Sequence, residues 1–467
     1  MRAKRSSQRG LDFSRSHLKI TTQYYAKYEA VSTILDKVPK LIDLMHRDLK
    51  EPLKSINREN LGRRTRYTTE NVLRILLCQV LENESLRGIV IRIDDSNFLR
   101  RFTRIDNGPM MDYTTLCILK NAIRKETWKA VNRCLARHAV RNDLIGGERL
   151  RLDTTAVETN IHWPTDSSLL WDVYRTLDRL IRMAREIDPE AVGPKRLQSR
   201  RAKRLQQKIT RRATNKGSST KQLKPLYTQL IGMVEDLFDW AKTVRWELSV
   251  SRRITDVMVM AKAAAIVEQI ENYVALGHRI VDQARRRVLE GGKVPNEDKL
   301  FSIFETHTEL LIRGKAGKNV EFGHMIQIQQ VDGKFITGYD VFDKRPVEYE
   351  LLDSVLKNHR KLFGYYPDEL AADKGYYESM AAIERLQQKV PMVSIAKKGR
   401  RTIRETEREH DRQFRMAQRF RAGVEGTIAF LKRTLRLARC FNKGWEHFVA
   451  TIGQTILAHN LLILARC

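Results

Sequence analysis

Apolar side chains recur at helical spacing through the first 145 residues of the chain. The clearest run is Val72, Leu73, Leu76, Leu77, Val80 and Leu81. Spacings of three and four positions are typical of a helix that buries one face. Two segments, Tyr67-Thr68-Thr69-Glu70 and Asp112-Tyr113-Thr114-Thr115, contain side chains that can cap the start of a helix. Because strand-like runs are nearly absent, the pattern predicts an all-α N-terminal domain over residues 1–145.

The pattern changes at residues 148–160, where apolar and polar side chains alternate. Leu150 and Leu152 alternate with Arg149, Arg151 and Asp153, which predicts a β-strand with an aspartate inside it. About 160 residues with helical periodicity follow, which is too long for an unstructured loop in a compact domain. We therefore expect a large helical insertion at about 161–320, directly after the first strand.

Strand patterns return in the second half of the chain. Residues 323–331 and 335–343 predict a hairpin, since Asp332-Gly333-Lys334 has the composition of a turn. Beyond them the pattern predicts a helix at 348–363, a short strand ending at Asp373, a helix at 378–388, a strand at 390–395 and a long helix at 411–439. Gly375, two residues after Asp373, is free to make the turn there. The expected class is α/β, with a mixed sheet and helices in a second domain over residues 146–467.

The charge of the chain points to a polyanionic partner. Lys and Arg number 86 against 56 Asp and Glu, which leaves a formal charge of +30. Such a field attracts nucleic acid and releases its counterions, although an anionic membrane surface or ribosomal packing would also suit it. Residues 195–224 contain twelve basic residues and no acidic one. They either lie along DNA phosphates or form a solvated face; the expected DNA contacts are Arg200, Arg201, Lys203, Arg204, Arg211 and Arg212.

The cysteines and the apolar stretches of the sequence indicate in which cellular compartment the protein is expected. The five cysteines are scattered and include no Cys-x-x-Cys pair, which disfavours a disulfide framework or a zinc knuckle and fits a reducing cytoplasm. The basic N-terminus lacks the apolar stretch of a secretory signal. The segment at about 448–465 contains Thr451, Gln454, His459 and Asn460, so we expect a buried core helix and no membrane span.

The N-terminal region has its own basic cluster: Arg100, Arg101, Arg104, Arg124 and Lys125. Short capped helices with these residues nearby are consistent with a helix-turn-helix that places one helix in the major groove of DNA. A helical bundle with a solvated basic face explains the spacing equally well.

The long helix near the C-terminus presents a charged face. Arg421, Glu425 and Lys432 are four and then seven residues apart, so they lie within roughly 40° of one another around the helix. An apolar stripe of Val424, Ile428, Leu431 and Leu435 would dock the helix on a sheet. Ordinary Glu–Arg pairing on a surface helix is the alternative.

Three carboxylates from rigid elements suit phosphodiester chemistry. Hard cations such as Mg²⁺ prefer carboxylate oxygens, and such ions activate water and stabilise the attacking and leaving oxygens of a phosphate. Asp153, Asp373 and Glu425 could form such a set. Other acids compete on pattern alone, namely Asp343, Asp340, Glu158 and Asp368.

Taken in order, strand Asp153, strand-end Asp373 in Ala-Asp-Lys-Gly-Tyr, and Arg421-x3-Glu425-x6-Lys432 resemble the DDE transposases of bacterial insertion sequences. The arrangement, with a helical insertion after the first of these strands, is similar to that of the ISNCY-type elements in particular, and Gln418 stands where the Tyr-x2-Arg-x3-Glu-x6-Lys pattern of the family has tyrosine. The segment Arg313-Gly314-Lys315-Ala316-Gly317-Lys318 before Val320-Glu321-Phe322-Gly323 also looks like theirs.

The resemblance implies a ribonuclease-H-like catalytic domain in which Asp153, Asp373 and Glu425 bind two Mg²⁺ or Mn²⁺ ions. It implies DNA contacts through Arg421, Lys432, Gln418 and the segment with Arg313, Lys315 and Lys318. It also implies that the N-terminal domain binds the terminal inverted repeats of the element. The active form would be a homodimer or larger synaptic complex on double-stranded DNA, in the bacterial cytoplasm and associated with the nucleoid.

The expected reaction has two steps. Water cuts the strand at the element end, and the released 3′ hydroxyl attacks a target phosphodiester in the same site, without a covalent enzyme intermediate. Two alternatives remain at this level: a ribonuclease-H-like endonuclease that cuts without joining, and a DNA-binding protein derived from a transposase that no longer catalyses.

Overall fold

The computed structural model describes residues 18–59, 67–214, 220–315 and 318–466. They form two compact units. The first contains the described residues up to Val157, Met325–Cys440 and those from Glu446 onward; the second contains Glu158–His324 and Phe441–Trp445. The chain passes from one unit to the other within two of its strands.

Within residues 18–59 and 67–148, seven helices precede the first strand, as the apolar spacing predicts. They are α1 (Lys19–Lys37), α2 (Lys40–Glu59), α3 (Thr69–Leu81), α4 (Leu86–Asp95), α5 (Asn97–Phe102), α6 (Tyr113–Ala122) and α7 (Lys125–Arg141). Both expected caps form: the Thr68 side chain accepts from the Asn71 amide at the start of α3, and Asp112 accepts from the Thr114 and Thr115 amides at the start of α6. These helices and the sheet share one hydrophobic core. The predicted domain boundary near residue 145 therefore does not separate two compact units of the structure, and it stays a prediction about function.

Seven strands follow in the described chain. They are β1 (Arg149–Thr159), β2 (Glu309–Lys315), β3 (Lys318–Val331), β4 (Ile336–Val341), β5 (Glu369–Ala372), β6 (Met392–Ile395) and β7 (Arg439–Cys440). In the first unit β4 pairs antiparallel with β3, β3 neighbours β1, and β1, β5 and β6 run parallel in that order. β7 pairs with β1. The sheet is therefore mixed, as expected.

The helices of the catalytic part are α13 (Leu352–Phe363), α14 (Met380–Gln387), α15 (Ile403–His410), α16 (Arg412–Arg433) and α17 (Trp445–Leu464). Short 3₁₀ turns lie at Asp332–Lys334, Glu348–Leu351 and Lys374–Tyr376. Several elements differ from the prediction: α15 was not expected, and β3 begins at Lys318 and not at residue 323. β2 was not expected, and α16 ends at Arg433 and not near residue 439. The backbone of Arg436 has φ of 55°, a left-handed conformation that a helix cannot continue through.

The second unit is largely helical and has its own core. Its helices are α8 (Asp166–Ile187), α9 (Pro189–Val192), α10 (Ser199–Thr214), α11 (Thr220–Val250) and α12 (Val257–Ala284), followed by a π-helical turn at Arg285–Leu289. Val173, Leu177, Ile181, Val234 and Ile270 are among its fully buried side chains. β2 pairs antiparallel with the first half of β3 in this unit.

α17 is the one described helix that is long and apolar enough to cross a membrane, but 83% of its apolar stretch is buried. Its polar residues bind neighbouring elements of the protein. Asn460 donates to the Ile336 carbonyl at 2.8 Å and accepts from the Ile336 amide at 2.9 Å. Gln454 donates to the Leu76 carbonyl at 2.8 Å. The prediction of a core helix is thus confirmed.

A buried arginine attaches α16 to the sheet. Arg151 on β1 donates from Nη1 to the Phe420 carbonyl at 2.7 Å and from Nε to Gln330 Oε1 at 2.8 Å. Its guanidinium carbon lies 4.6 Å from the centre of the Phe420 ring. Gln330 on β3 also donates to Thr427 Oγ1 at 2.9 Å. The polar face of β1 is therefore covered by α16, and burial lowers the pKa of Arg151.

Gly423 of α16 provides the space that this guanidinium occupies. A Cβ at position 423 would lie 2.2 Å from Arg151 Nη1, whereas a Cβ at Gly426 would meet no atom within 4 Å. We expect Gly423→Ala to cost about 1–3 kcal/mol of stability by displacing buried Arg151. Gly426→Ala should instead stabilise the helix by about 0.5–1 kcal/mol. Thermal melting of the two variants beside the native chain tests this, and equal shifts would contradict the role given to Gly423.

Candidate active site

Two parallel strands bring the two aspartates to the same level. β1 and β5 are neighbours, with Arg151 opposite Ala371. Continuing this register by two residues places Asp153 level with Asp373, which directly follows β5. Ends of parallel strands that carry polar side chains are common ligand sites in α/β sheets.

The turn after β5 orients Asp373. Its carboxylate accepts a hydrogen bond of 2.7 Å from the Lys374 amide and caps the 3₁₀ turn Lys374–Tyr376. Gly375 is needed here for space and not for an unusual backbone angle, because its φ is not positive. A Cβ at Gly375 would overlap the carboxylate of Glu348. Glu348 also accepts a hydrogen bond of 2.5 Å from Thr154 Oγ1, so a further acid adjoins the two aspartates.

Arg421 joins all three expected carboxylates. Its Nη2 lies 3.4 Å from Asp153 Oδ2 and 3.7 Å from Asp373 Oδ1. Its Nη1 lies 3.2 Å from Glu425 Oε1, one helical turn further along α16. The structure thus brings together the two strand acids and the helix acid that spacing singled out, around one guanidinium.

Burial differs sharply among the three acids. The side chain of Asp153 is 11% exposed, whereas those of Asp373 and Glu425 are 50% and 63% exposed. The pKa of Asp153 is raised to about 6, mainly by burial and to a smaller extent by the charges of Asp373 and Glu425. Arg421 and a 2.8 Å hydrogen bond from the Thr154 amide oppose this rise. Burial therefore disfavours the ionised form of Asp153 relative to an exposed aspartate, and Arg421 partly offsets this.

The three carboxylates have the chemistry that divalent cations prefer, but their side chains surround Arg421 and do not form a ready metal site. Three carboxylates offer the oxygen ligands that Mg²⁺ and Mn²⁺ prefer. Among the described residues, no three His, Cys, Asp or Glu side chains stand as a ready metal-binding group. Arg421 occupies the position between them. A metal ion held by these acids would therefore require its guanidinium to give up some of its contacts.

Two protein-family models match this chain. A transposase DDE domain matches residues 304–461, and a transposase domain known as DUF772 matches residues 23–121. By these matches the chain carries a transposase DDE domain and a DUF772 transposase domain. Both domains are typical of bacterial insertion-sequence transposases, as the residue pattern predicts. No curated protein and no solved structure matches the chain.

The DDE match places two of the three acids in the transposase domain by sequence. Asp373 and Glu425 lie within residues 304–461, and Asp153 lies before them on β1. The ISNCY-type assignment stays a prediction. The DUF772 match extends from α1 into α6, so the N-terminal helices of this transposase also belong to its family pattern.

The competing acids occupy other places. Asp340 on β4 pairs with Lys129 of α7 at 2.6 Å. Asp368 precedes β5 and so lies at the opposite end of that strand from Asp373. Glu158 belongs to the second unit, and Asp343 follows β4. Within the described chain, Arg421 forms its ion pairs with the three expected acids and with none of these four.

The expected DNA contacts of the transposase fall into several groups. Gln418 donates to the Ser394 carbonyl at 2.7 Å and to Ser394 Oγ at 3.0 Å, so its amide ties α16 to the end of β6. Lys432 is partly exposed on α16. The side chains of Arg313, Lys315 and Lys318 lie outside the described residues. The α10 residues expected at DNA are all exposed and form no ion pair with a described carboxylate: Arg200, Arg201, Lys203, Arg204, Arg211 and Arg212.

The basic cluster of the N-terminal helices is largely neutralised. Arg100 pairs with Asp94 at 2.6 Å and Arg124 pairs with Asp48 at 2.7 Å. Arg104 pairs with both Asp36 and Glu70, and Lys125 pairs with Glu446. Of the five residues, only Arg101 forms no ion pair with a described acid. These contacts stabilise the helical core, and the helix-turn-helix interpretation stays untested.

Three residues near the site were not anticipated from the sequence: Glu348, Arg151 and Tyr376. Tyr376 is buried, and its hydroxyl accepts a 2.9 Å hydrogen bond from Gln327 of β3. Burial raises the pKa of Tyr376. Polar residues at alternating positions of an apolar strand, as in Ile-Gln-Ile-Gln-Gln, are the signal that could have indicated a buried polar network.

The raised pKa of Asp153 predicts a stability effect. The folded chain binds more protons than the unfolded chain between the ordinary pKa of 3.8 and about 6, so stability falls as the pH rises through that window. We expect Asp153→Asn, without divalent cations, to be more stable than the native chain at pH 7.5 by on the order of 2 kcal/mol. The difference should shrink as the pH falls towards 4. Thermal melting against pH measures it, with exposed Asp368→Asn as control; a less stable Asp153→Asn at pH 7.5 would contradict the assignment.

Proposed function

We propose that this transposase cuts DNA at the ends of its insertion sequence and joins the released 3′ ends to target DNA, using a ribonuclease-H-like catalytic domain. The observation that carries the proposal is the convergence of Asp153, Asp373 and Glu425 on Arg421. The mixed sheet with a helix docked beside the strand-end acids supports it. The helical second unit would be the insertion after the first catalytic strand.

In the first step the oxygen of water attacks the phosphorus at the element end. The P–O bond to the 3′ oxygen breaks, and that oxygen takes a proton to leave as a 3′ hydroxyl. In the second step the 3′ hydroxyl oxygen attacks a target phosphorus, loses its proton, and displaces the target 3′ oxygen. The first step hydrolyses one phosphodiester and the second exchanges one phosphodiester for another, with the displaced target 3′ oxygen taking up a proton, so neither step needs an external oxidant or energy source.

Asp153, Asp373 and Glu425 would hold the divalent cations, in a set completed or supported by Glu348. Two Mg²⁺ or Mn²⁺ ions bound there supply Lewis acidity that lowers the pKa of the attacking hydroxyl and stabilises the leaving oxygen. The chain itself positions the carboxylates on two strands and one docked helix. The contacts of all three carboxylates with the single cation Arg421 support the fit, since the same oxygens could turn to a divalent cation.

Arg421 has a second role in this proposal. Without bound cations it offsets the repulsion among the three carboxylates. Its Nε atom is buried and has no hydrogen-bond acceptor in the described chain, so the guanidinium keeps donor capacity. A guanidinium released from the acids could contact a phosphate in the fork geometry that arginine favours. Lys432, further along α16, would contact the backbone of the same DNA.

The exposed cations of α10 support DNA binding outside the catalytic carboxylates, since a run without ion pairs retains its charge for phosphates. Because two element ends must be held together for joining, we propose that at least two copies form the synaptic complex. The terminal inverted repeats and the target are double-stranded DNA. The bacterial cytoplasm and its nucleoid are the expected location.

The reaction is tested with Mg²⁺ or Mn²⁺ on duplexes bearing the terminal repeats that flank the gene. We expect native protein to cut and join. Asp153→Asn, Asp373→Asn and Glu425→Gln should each lose both activities by on the order of 10³-fold while still binding DNA.

Asp368→Asn and Glu407→Gln are the matched controls, because they neutralise exposed acids away from Arg421. Cutting without joining by native protein would favour the nuclease. Binding without either reaction would favour the non-catalytic DNA-binding protein. Full activity in any of the three site variants would remove that residue from the proposal.

Exchange between Arg421 and divalent cations is tested by melting. Arg421→Gln leaves three carboxylates without their shared partner, so its melting temperature without divalent cations should fall below that of native protein. Mg²⁺ or Mn²⁺ should then raise the melting temperature of the variant more than that of native protein, since binding to the folded state alone stabilises it. Arg421→Lys, which keeps the charge, should lie between them. An equal cation-induced shift in all three proteins would show that Arg421 and the ions do not compete.

A further inference from the structure

A second set of cations in the N-terminal helices differs from the neutralised cluster described above. Arg133, Arg137 and Arg141 on α7 are exposed, and so are Lys37 and Lys40 at the junction of α1 and α2. None of the five forms an ion pair with a described carboxylate. They line one groove between the α1–α2 junction and α7, together with Val38, Pro39 and Leu44. We call these five cations and the groove they line the α7 groove.

The three arginines form a stripe that is inclined to the axis of α7. They are spaced four residues apart, so each turns about 40° from the last and the stripe is about 12 Å long. Arg133 and Arg137 also border a second groove on the other side of α7, beside Lys361 of α13. Arg133 and Arg137 therefore lie between two grooves, the second of which also contains Asp340, and all three guanidiniums are exposed for bidentate contacts with phosphates.

Two partly buried groups, His138 and Cys134, lie beside the cations of the α7 groove. Burial and the charge of Lys37 lower the pKa of His138. Burial raises the pKa of the Cys134 thiol, while Lys40, Arg137 and Arg141 lower it and Asp43 raises it slightly. The cations thus act on the same small region, and Asp43 is an opposing charge that does not pair with any of them.

We propose that the α7 groove binds the phosphate backbone of double-stranded DNA, as a contact separate from the catalytic carboxylates. The inference rests on the proposed function only in taking DNA as the substrate. In the helical region, DNA is then contacted by the exposed cations that form no ion pair with a described acid. Arg100, Arg104 and Arg124 are excluded because each pairs with an acid of the protein. Phosphate contacts position a protein on DNA without reading its sequence.

The test is the salt dependence of DNA binding by the full chain. Fluorescence anisotropy would compare native protein with the triple variant Arg133→Gln, Arg137→Gln, Arg141→Gln on a terminal-repeat duplex and on an unrelated duplex of equal length. Because each phosphate contact contributes about 0.9 to the slope of log K against log salt concentration, we expect the slope to fall by about 2 to 3. Affinity should weaken tenfold or more on both duplexes alike.

Three controls make the result specific. The triple Arg→Lys variant at the same positions keeps the charges and should restore most of the slope. Lys262→Gln, Arg279→Gln, Lys293→Gln removes three exposed cations from the second unit and should change the slope by less than one. The double variant Arg100→Gln, Arg101→Gln removes two cations of the other N-terminal basic cluster and measures its contribution to the slope. Circular dichroism would confirm that each variant is folded.

The outcomes separate this proposal from the catalytic one. A native slope in the Arg→Gln triple would overturn the α7 groove, even if native protein cuts and joins DNA. The groove would be overturned equally if the Lys262, Arg279 and Lys293 variant or the Arg100 and Arg101 variant lowered the slope as much. A reduced slope restored by lysine would establish the groove, even if no strand transfer were found.

Discussion

The fold of the catalytic part depends on one buried contact, that between Arg151 of β1 and the Phe420 carbonyl of α16. A guanidinium in the core is costly unless its donors are satisfied, so this contact and the hydrogen bond to Gln330 set the position of the helix. Gly423 admits the guanidinium, and Thr427 connects the helix to Gln330 one turn later. Position and rotation of α16 follow from these few polar contacts.

The candidate active site follows from that docking. Arg421 is the residue after Phe420, so the contact that holds the helix also aims the next side chain at the strand-end acids. Three carboxylates and Glu348 then lie near one another around a single cation. Burial first, and then the charges of Asp373 and Glu425, raise the pKa of Asp153, so its ionised form is disfavoured there. A pKa perturbed in this way is common at functional sites.

The basic residues fall into two groups, those paired with acids of the protein and those without such a partner among the described residues, and composition cannot distinguish them. Arg100, Arg104, Arg124 and Lys125 serve the helical core through ion pairs. The exposed cations of α7 and α10 form no such pairs with described acids, so their field extends into solvent. Because a paired charge attracts phosphate much less than an unpaired one, the distribution of ion pairs bears on DNA binding more directly than the net charge of +30.

The sequence by itself determined the elements and the candidate acids. Helical spacing indicated the N-terminal helices, the caps at Thr68 and Asp112 formed as expected, and alternation located β1. The family also followed from residue order, since Asp153, Asp373 and Glu425 each sit on an element whose pattern is local. Local periodicity reflects which face is buried, and that information is present in a short segment.

Only the tertiary structure decided which distant side chains meet. The packing of Glu348 against Gly375, the burial of Arg151, the use of Gln418 at Ser394 and the pairing of the N-terminal arginines all join residues far apart in sequence. No local pattern in the amino-acid sequence identifies such partners. Their energies depend on burial and on distances of a few ångströms, quantities that exist only once the elements have packed.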